Sequence, residues 1–302
     1  MRIAVAASPE AAIPTLEWLA NSSHSLVRIF SQPDRSSGRG RQLTPTPVSE
    51  WAMKNEVELI RPEDPSEMKQ HLLDLDCVIT IGYGVLLPEE ILTLTPYGFL
   101  NLHFSILPKW RGAAPVQRAI EASDAVTGVT VFKLDRGMDT GPIYCIHRFA
   151  IDDDINSDEL LAELAILGVV AIEDALLKIS NGFTPVMQSN EGATKAAKLT
   201  REEGQIQWNQ GAEKVCAKIR AFTSNPGAWT IIRGEVHKIA SPHITDVALA
   251  PGEIEFRAKK VLIGTATTAL EIGFITPSGR SQMSATSWAN GARLESGEMC
   301  EY

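Results

Sequence analysis

Short apolar runs alternate with amphipathic stretches through the first half of the chain. The amphipathic stretches Ile13–Asn21 and Met68–Leu75 predict helices, because their apolar positions follow the helical period. The apolar runs predict six strands: Arg2–Ala7, Leu26–Ser31, Val57–Arg61, Cys77–Ile81, Phe99–His103 and Val129–Leu134. This alternation is typical of an α/β fold with a Rossmann-like, mostly parallel sheet covered by helices on both faces. Such sheets bind ligands at the carboxyl ends of their strands.

The pattern changes after a long predicted helix at Ser157–Ile179. Residues 189–204 are small and polar and predict a linker. A short helix is expected at Glu213–Phe222, and brief β-like runs follow from Trp229 onward, which predicts a small OB-like β-barrel. We therefore expect an N-terminal domain over residues 1–188, a linker over 189–204 and a C-terminal domain over 205–302.

Composition narrows the possible function classes. The 302 residues carry a formal net charge of −9, but the acidity is uneven: residues 190–302 hold 13 basic and 12 acidic side chains. A local basic surface for nucleic acid is compatible with this distribution. No apolar run reaches the roughly 18 to 20 residues of a membrane span, and no targeting segment is evident, so a cytoplasmic location is expected. The four cysteines are scattered without a C-x-x-C spacing, and neither a disulfide framework nor a metal site is predicted.

The candidate chemistry begins at the end of the fifth predicted strand. Asn101 and His103 lie two residues apart and therefore face the same side of that strand. An amide donor and a titratable ring at the carboxyl edge of a sheet can stabilise an oxyanion and move a proton, which suits acyl transfer. An N-x-H pair alone has little specificity, and a strand-end histidine without catalytic function is an alternative.

An acid-bearing, glycine-flanked loop follows the sixth predicted strand. Asp139 lies between Gly137 and Gly141 and could reach a ring presented by a neighbouring strand, fixing its tautomer. Asp135 is the alternative acid, although its position favours a turn.

The stretch from Arg35 to Arg41 is basic. It contains three arginines and two glycines, a loop composition that suits either phosphate contact or a solvated turn.

Several segments together resemble the methionyl-tRNA formyltransferase family. They are the stretch "NLHFSILP" from Asn101, "WRGAAPVQ" from Trp110, "GVT" from Gly128 and "MDTG" from Met138, with the basic segment "SQPDR" from Ser31 and the C-terminal "IRAF" from Ile219. The resemblance spans both predicted domains. It implies formyl transfer from 10-formyltetrahydrofolate, as co-substrate and without a metal, to the amino group of initiator methionyl-tRNA by a monomeric enzyme that does not bind membranes.

The resemblance also implies roles for individual positions. Asn101 and His103 would stabilise a tetrahedral intermediate, with Asp139 orienting His103. Folate contacts would fall on Tyr83, Gly84, Leu86, Leu87, Ser105, Leu107 and Pro108. Contacts to tRNA would fall on Arg35, Arg39, Arg41, Lys195, Lys198 and Arg201. The Leu107–Pro108 peptide bond is expected to be cis, since proline in a tight functional turn reduces the cis penalty.

Two kinds of rival function remain at this point. One is another formyl-folate enzyme with the same N-terminal domain, acting on a glycinamide ribotide or a sugar amine, or hydrolysing formyl-folate. The other is a non-catalytic tRNA-binding protein, which would not require Asn101, His103 and Asp139 to lie together.

Overall fold

The computed structural model describes residues 1–37, 42–295 and 297–301. The chain forms two compact units. The first contains Met1–Pro115, Val126–Ala150 and Leu161–Ala196, and the second contains Val116–Ala125, Ile151–Leu160 and Ala197–Tyr302. The predicted division at residues 188 and 204 stays a prediction.

The first unit is built on a seven-stranded sheet. Up to residue 196 the strands are β1 (Arg2–Ala7), β2 (Ser25–Phe30), β3 (Arg35–Ser37), β4 (Gln42–Thr44), β5 (Glu58–Ile60), β6 (Cys77–Ile81), β7 (Phe99–His103), β8 (Arg111–Gly112), β9 (Val126–Lys133), β10 (Ile143–Ala150) and β11 (Lys195–Ala196). The helices in this part are α1 (Ile13–Ala20), α2 (Pro47–Lys54), α3 (Glu89–Leu92), α4 (Pro115–Glu121) and α5 (Ser157–Ser180). The order in the main sheet is β10-β9-β7-β6-β1-β2-β5.

Strands β5, β2, β1, β6 and β7 run parallel to one another, β9 runs antiparallel to β7, and β10 runs antiparallel to β9. The central strands β1 and β6 are buried along nearly their whole length, because both faces of a doubly covered sheet must be apolar. Helix α5 covers one face: a Cβ added to Gly168 would lie 2.5 Å from Leu102 in β7. The neighbouring side chains of β7, at 101 and 103, therefore face the opposite side of the sheet.

The second unit contains a closed antiparallel barrel. Its strands are β12 (Ala228–Ile232), β13 (Glu235–Ile244), β14 (Glu253–Arg257), β15 (Lys260–Ile263), β16 (Leu270–Pro277), β17 (Met283–Ser284) and β18 (Glu298–Glu301), with helices α6 (Ala212–Ala221) and α7 (Ala285–Ala292). The pairing of β13 with β16 closes the strand order β13-β12-β18-β14-β15-β16 into a ring. The predicted fold class, a Rossmann-like domain followed by an OB-like barrel, is confirmed.

Three local predictions differ from the structure. The helix expected at Met68–Leu75 is a 3₁₀ helix at Pro65–His71, which begins earlier because Asp64 and Glu67 form a capping box around its first turn. The antiparallel strand β10 was not predicted. The basic segment near Arg35, expected to be a loop, has short paired strands on either side of residues 38–41.

No helix in the described ranges is both long enough and apolar enough to cross a membrane. The four cysteines are free thiols and are buried.

Candidate active site

Strand β7 places Asn101 and His103 on one face of the sheet. Asn101 pairs with Phe132 of β9 and His103 pairs with Thr130, so all four side chains lie on the face opposite α5. The His103 ring is only 6% exposed and contacts the edge of Phe132, with ring centroids 6.4 Å apart. The side chain of Asn101 is half-buried and makes no hydrogen bond to any described residue, so its amide N–H groups are available to a substrate.

The loop after β7 folds back over the histidine. Thr130 anchors its start, since the Thr130 hydroxyl donates to the Ser105 carbonyl at 2.7 Å and accepts from the Leu107 N–H at 3.1 Å. The Leu107–Pro108 bond is cis, as predicted. The carbonyl of Trp110 then lies 2.9 Å from His103 Nε2. Because a carbonyl can only accept, Nε2 carries a proton, and in the neutral ring the lone pair is on Nδ1.

Asp139 faces that second ring nitrogen. Its Oδ2 lies 3.7 Å from His103 Nδ1 and accepts a hydrogen bond of 2.7 Å from the Gly112 N–H. The Asp139 backbone is left-handed, with φ of 55°. The flanking glycines permit this tight loop. A Cβ at Gly137 would lie 2.0 Å from Thr140 Oγ1, and a Cβ at Gly141 would lie 1.8 Å from the Lys133 carbonyl oxygen. Asp139 therefore lies beside the His103 ring, and Asn101 lies two residues from His103 on the same face of β7.

The alternative acid, Asp135, has a different set of contacts. Its Oδ1 accepts from the Gly137 N–H at 2.9 Å and from the Thr140 hydroxyl at 2.7 Å. Asp135 thus stabilises the turn that carries Asp139, whereas Asp139 is the acid that faces the ring.

Burial controls the charge of His103. It lowers the pKa of the ring below its ordinary value of 6.5, and the Asp139 carboxylate and the Trp110 carbonyl offset part of that effect. The neutral imidazole is therefore the resting form near neutral pH. A proton gained at Nδ1 would lie beside the Asp139 carboxylate, so the site is arranged to accept one during a reaction.

The predicted folate positions occupy several different environments. Tyr83 and Leu87 belong to the buried core cluster around Phe99, and burial raises the pKa of the Tyr83 hydroxyl to about 12. Leu86 is 80% exposed, Gly84 is exposed, Leu107 and Ser105 are buried, and Pro108 is half-buried. The Ser105 hydroxyl donates to the Lys109 carbonyl at 2.7 Å. Packing thus accounts for Tyr83 and Leu87, and Leu86 is available to a ligand.

The predicted tRNA positions are described only in part. Arg35 begins β3, and Arg39 and Arg41 lie outside the described residues. The side chains of Lys195, Lys198 and Arg201 are exposed. Lys195 lies in β11, which pairs with β8.

Sequence reasoning missed the segment that supports the catalytic loop, residues 188–196, here named the strap. The Thr194 hydroxyl accepts from the Trp110 N–H at 2.9 Å, and the Thr194 carbonyl accepts from the Arg111 N–H at 2.9 Å. A Cβ at Gly112 would lie 2.5 Å from the Ala196 carbonyl oxygen. These are mainly backbone contacts, which leave little signal in side-chain patterns. The glycine after Arg111 was the one available indication.

Two further features could receive ligands. A cavity of about 350 Å³ lies at the carboxyl ends of β1, β2 and β6. It is lined by Ser8, Pro9, Gln32, Pro33, residues 44–47 and Gly82.

The side chains of Cys145, His147 and Asp174 bring potential metal ligands within 4.8 Å of one another. The Lys178 ammonium group lies 3.1 Å from Asp174 and already neutralises that carboxylate, so this cluster is explained without an ion.

Comparison with known proteins finds relatives that match nearly the whole chain. Residues 1–176 match the family described as formyl transferase, and residues 198–293 match the formyl transferase C-terminal domain. A methionyl-tRNA formyltransferase from Rhodococcus erythropolis is 41% identical over 301 residues, covering 98% of each chain.

Two solved structures share the fold at lower identity. HypX from Aquifex aeolicus has a TM-score of 0.71 and 18% identity over 100% of this chain, which spans about half (53%) of HypX. WlaRD is a sugar 3N-formyl transferase solved in the presence of dTDP and 5-N-formyl-THF. It has a TM-score of 0.69 and 16% identity, covering 93% of this chain and 99% of WlaRD.

Proposed function

This chain belongs to the formyl transferase family, and we propose that it transfers the formyl group of 10-formyltetrahydrofolate to the α-amino group of methionyl initiator tRNA. Identity of 41% over 98% of a methionyl-tRNA formyltransferase supports this substrate pair. The observation that carries the proposal is the arrangement of Asn101, His103 and Asp139: the amide and the neutral ring share one face of β7, and the carboxylate lies 3.7 Å from the ring.

The proposed mechanism uses each group for one task. The neutral amine attacks the formyl carbon, a C–N bond forms, and the carbonyl oxygen becomes negative. Asn101 donates to that oxygen. His103 Nδ1 accepts the proton that the amine loses, directly or through water, and the resulting imidazolium is stabilised by Asp139 and the Trp110 carbonyl. Collapse of the intermediate breaks the bond to folate N10, which takes the proton from His103.

The recognition surface is a separate part of the proposal. The exposed side chains of Lys195, Lys198 and Arg201 are available for contact with tRNA phosphates, and the cavity beside β1, β2 and β6 offers space for a substrate group at the edge where β7 also ends. Leu86 and the neighbouring backbone at Gly84 would contact the folate. We further propose that the enzyme acts as a monomer in the cytoplasm, where charged tRNA is available.

A direct assay tests the substrate assignment. The purified protein is given 10-formyltetrahydrofolate with charged initiator tRNA, free methionine or glycinamide ribotide, and formylated product is measured. We expect formylation of the charged tRNA. Preferential formylation of glycinamide ribotide would contradict the proposed acceptor, and binding of tRNA without any product would support a non-catalytic role.

Acid is expected to inhibit turnover through His103. Protonation in the free enzyme removes the Nδ1 lone pair, so kcat/KM should fall as pH falls through the pKa of His103. Since burial lowers that pKa, kcat/KM should fall to half of its maximum at a pH below about 6.5. A pH profile measured at saturating folate and limiting tRNA checks this after each rate is divided by the neutral fraction of the α-amino group of free charged tRNA, which itself titrates at about pH 7 to 8. A remaining acidic limb centred above pH 7 would contradict the prediction.

Arg39 and Arg41 are expected to act on one substrate only. Arg39→Ala with Arg41→Ala should raise the KM for tRNA and flatten its salt dependence, because fewer phosphate contacts release fewer counterions. The folate KM should change little. Initial rates at two salt concentrations measure both effects, with Lys54→Ala, an exposed cation at the end of α2, as the matched control. Equal changes in both KM values would argue against a tRNA role.

A further inference from the structure

Gln188 makes hydrogen bonds that reach the loop carrying the candidate acid. Its Nε2 donates to the Asp139 carbonyl at 3.0 Å and to the Gly141 carbonyl at 2.8 Å. Its Oε1 accepts from the Arg111 guanidinium, at 2.8 Å from Nη2 and 3.2 Å from Nε. Carbonyls only accept and a guanidinium only donates, so the chemistry of the partners fixes the orientation of this amide.

The bonds from Gln188 fall where the loop most needs support. Asp139 has a left-handed backbone, a conformation that costs some free energy in residues with a Cβ, although aspartate tolerates it better than most. Gln188 spans the two carbonyls on either side of Thr140 and thereby closes this turn. The chain two residues before the strap is fixed to the sheet, because Val186 and Ile143 exchange backbone hydrogen bonds of 2.7 and 2.9 Å.

The same amide connects the two loops that meet at His103. Arg111 lies between Trp110, whose carbonyl accepts from the ring, and Gly112, whose N–H donates to the Asp139 carboxylate. Gln188 joins the Arg111 side chain to the backbone of the Asp139 loop. A displacement of either loop would therefore change the distance between the carboxylate and the ring.

We propose that Gln188 is a positioning residue for catalysis, which together with Arg111 holds the Asp139 loop so that the carboxylate faces His103. This inference rests on the proposed function of the site. Gln188 touches neither the ring nor the reacting atoms, and it acts through Asp139.

Replacement of Gln188 should change the proton affinity of His103 through one charge, that of Asp139. Strand β9 presents the non-ionisable Thr130 and Phe132 to the ring, and the loop after β7 presents the Trp110 carbonyl. The Arg111 guanidinium is bound to Gln188. Among the described residues, Asp139 is the ionisable group whose charge raises the proton affinity of His103. Loosening the Asp139 loop should therefore weaken that one stabilising charge.

The test compares two replacements of Gln188 with a neighbouring control. Gln188→Leu removes all four hydrogen bonds. Gln188→Glu keeps the size and the pairing with Arg111 but presents oxygen to the two carbonyls. Met187→Ala removes an adjacent side chain that is 71% exposed. Formylation of charged tRNA is measured across pH, with thermal unfolding as a check on folding.

We expect both Gln188 variants to lower kcat by about 10- to 100-fold, as small misplacements of a catalytic group do. Their KM values for tRNA and folate should stay near wild type. The acidic limb of the profile should move to lower pH, because His103 loses part of the stabilisation of its protonated form. Met187→Ala should match wild type in every respect.

Several outcomes would overturn the proposal. They are a Gln188→Glu enzyme with wild-type turnover, and a loss of activity that follows the unfolding temperature without any shift of the acidic limb. Arg111→Met supplies an independent check: combined with Gln188→Leu it should cost less than the sum of the two single effects, because both act through one contact. Additive effects would contradict the shared route. If wild type itself formylates no charged tRNA, the proposed function fails, and that result is distinct from all of these.

Discussion

Replacing His103 by alanine is expected to lower kcat by about 100- to 10,000-fold, the range for loss of a general acid–base group. The ring accepts the amine proton and later gives it to folate N10, so the general-base and general-acid steps are lost together. Single-turnover formylation of charged initiator tRNA with saturating folate measures the loss. The protein should remain folded, because His103 donates one hydrogen bond and its removal leaves only a modest gap beside Phe132.

A second histidine in the same sheet provides the control. His147 lies in β10, and its polar contact is to Asp174 at 3.2 Å rather than to the candidate catalytic residues. His147→Ala should leave turnover within about twofold of wild type, as expected for a partly exposed position. Near-native turnover by the His103→Ala enzyme would remove the ring from the mechanism.

Replacing Asn101 by alanine is expected to lower kcat by about 100- to 1000-fold, the usual cost of one oxyanion donor. The KM values should change less than kcat, because the donor is most needed when the formyl oxygen carries charge. The acidic limb of the pH profile should stay in place, since Asn101 does not titrate. Steady-state kinetics with both substrates varied, at several pH values, separate these effects.

An isosteric variant distinguishes donation from packing at this position. Asn101→Asp keeps the shape of the side chain but places negative charge where the oxyanion develops. It should be at least as slow as the alanine variant. Wild-type turnover by Asn101→Asp would show that the amide only fills space.

The sequence was sufficient to predict those features of the site that depend on local patterns, such as the alternation of a strand or the glycines of a tight loop. The alternation of a strand predicted that Asn101 and His103 share a face, and the glycines around Asp139 predicted a tight loop. Strand order alone did not predict that Asp139 meets the ring: β9 is antiparallel to β7 and its last residue, Lys133, pairs with Leu100 near the start of β7, so the loop must return toward His103. The continuous apolar runs at β1 and β6 likewise predicted buried central strands.

The remaining parts depend on contacts between distant backbone groups. The Trp110 carbonyl and the Gly112 N–H hold His103 and Asp139, and any residue type supplies such groups. Gln188 was not predicted because its partners lie 47 to 77 positions away in the sequence. The charge of His103 is similarly a property of burial, which a local motif does not reveal.

The strap also matters to protein engineers. A gene fusion that joins residues 1–188 to a different C-terminal module would discard Thr194 and Ala196, to which the backbone of Trp110, Arg111 and Ala114 is bonded. Such a chimaera would keep Asn101, His103 and Asp139 but lose the backbone bonds that hold the loop at residues 110–114. A junction placed after Ala196 would retain these bonds.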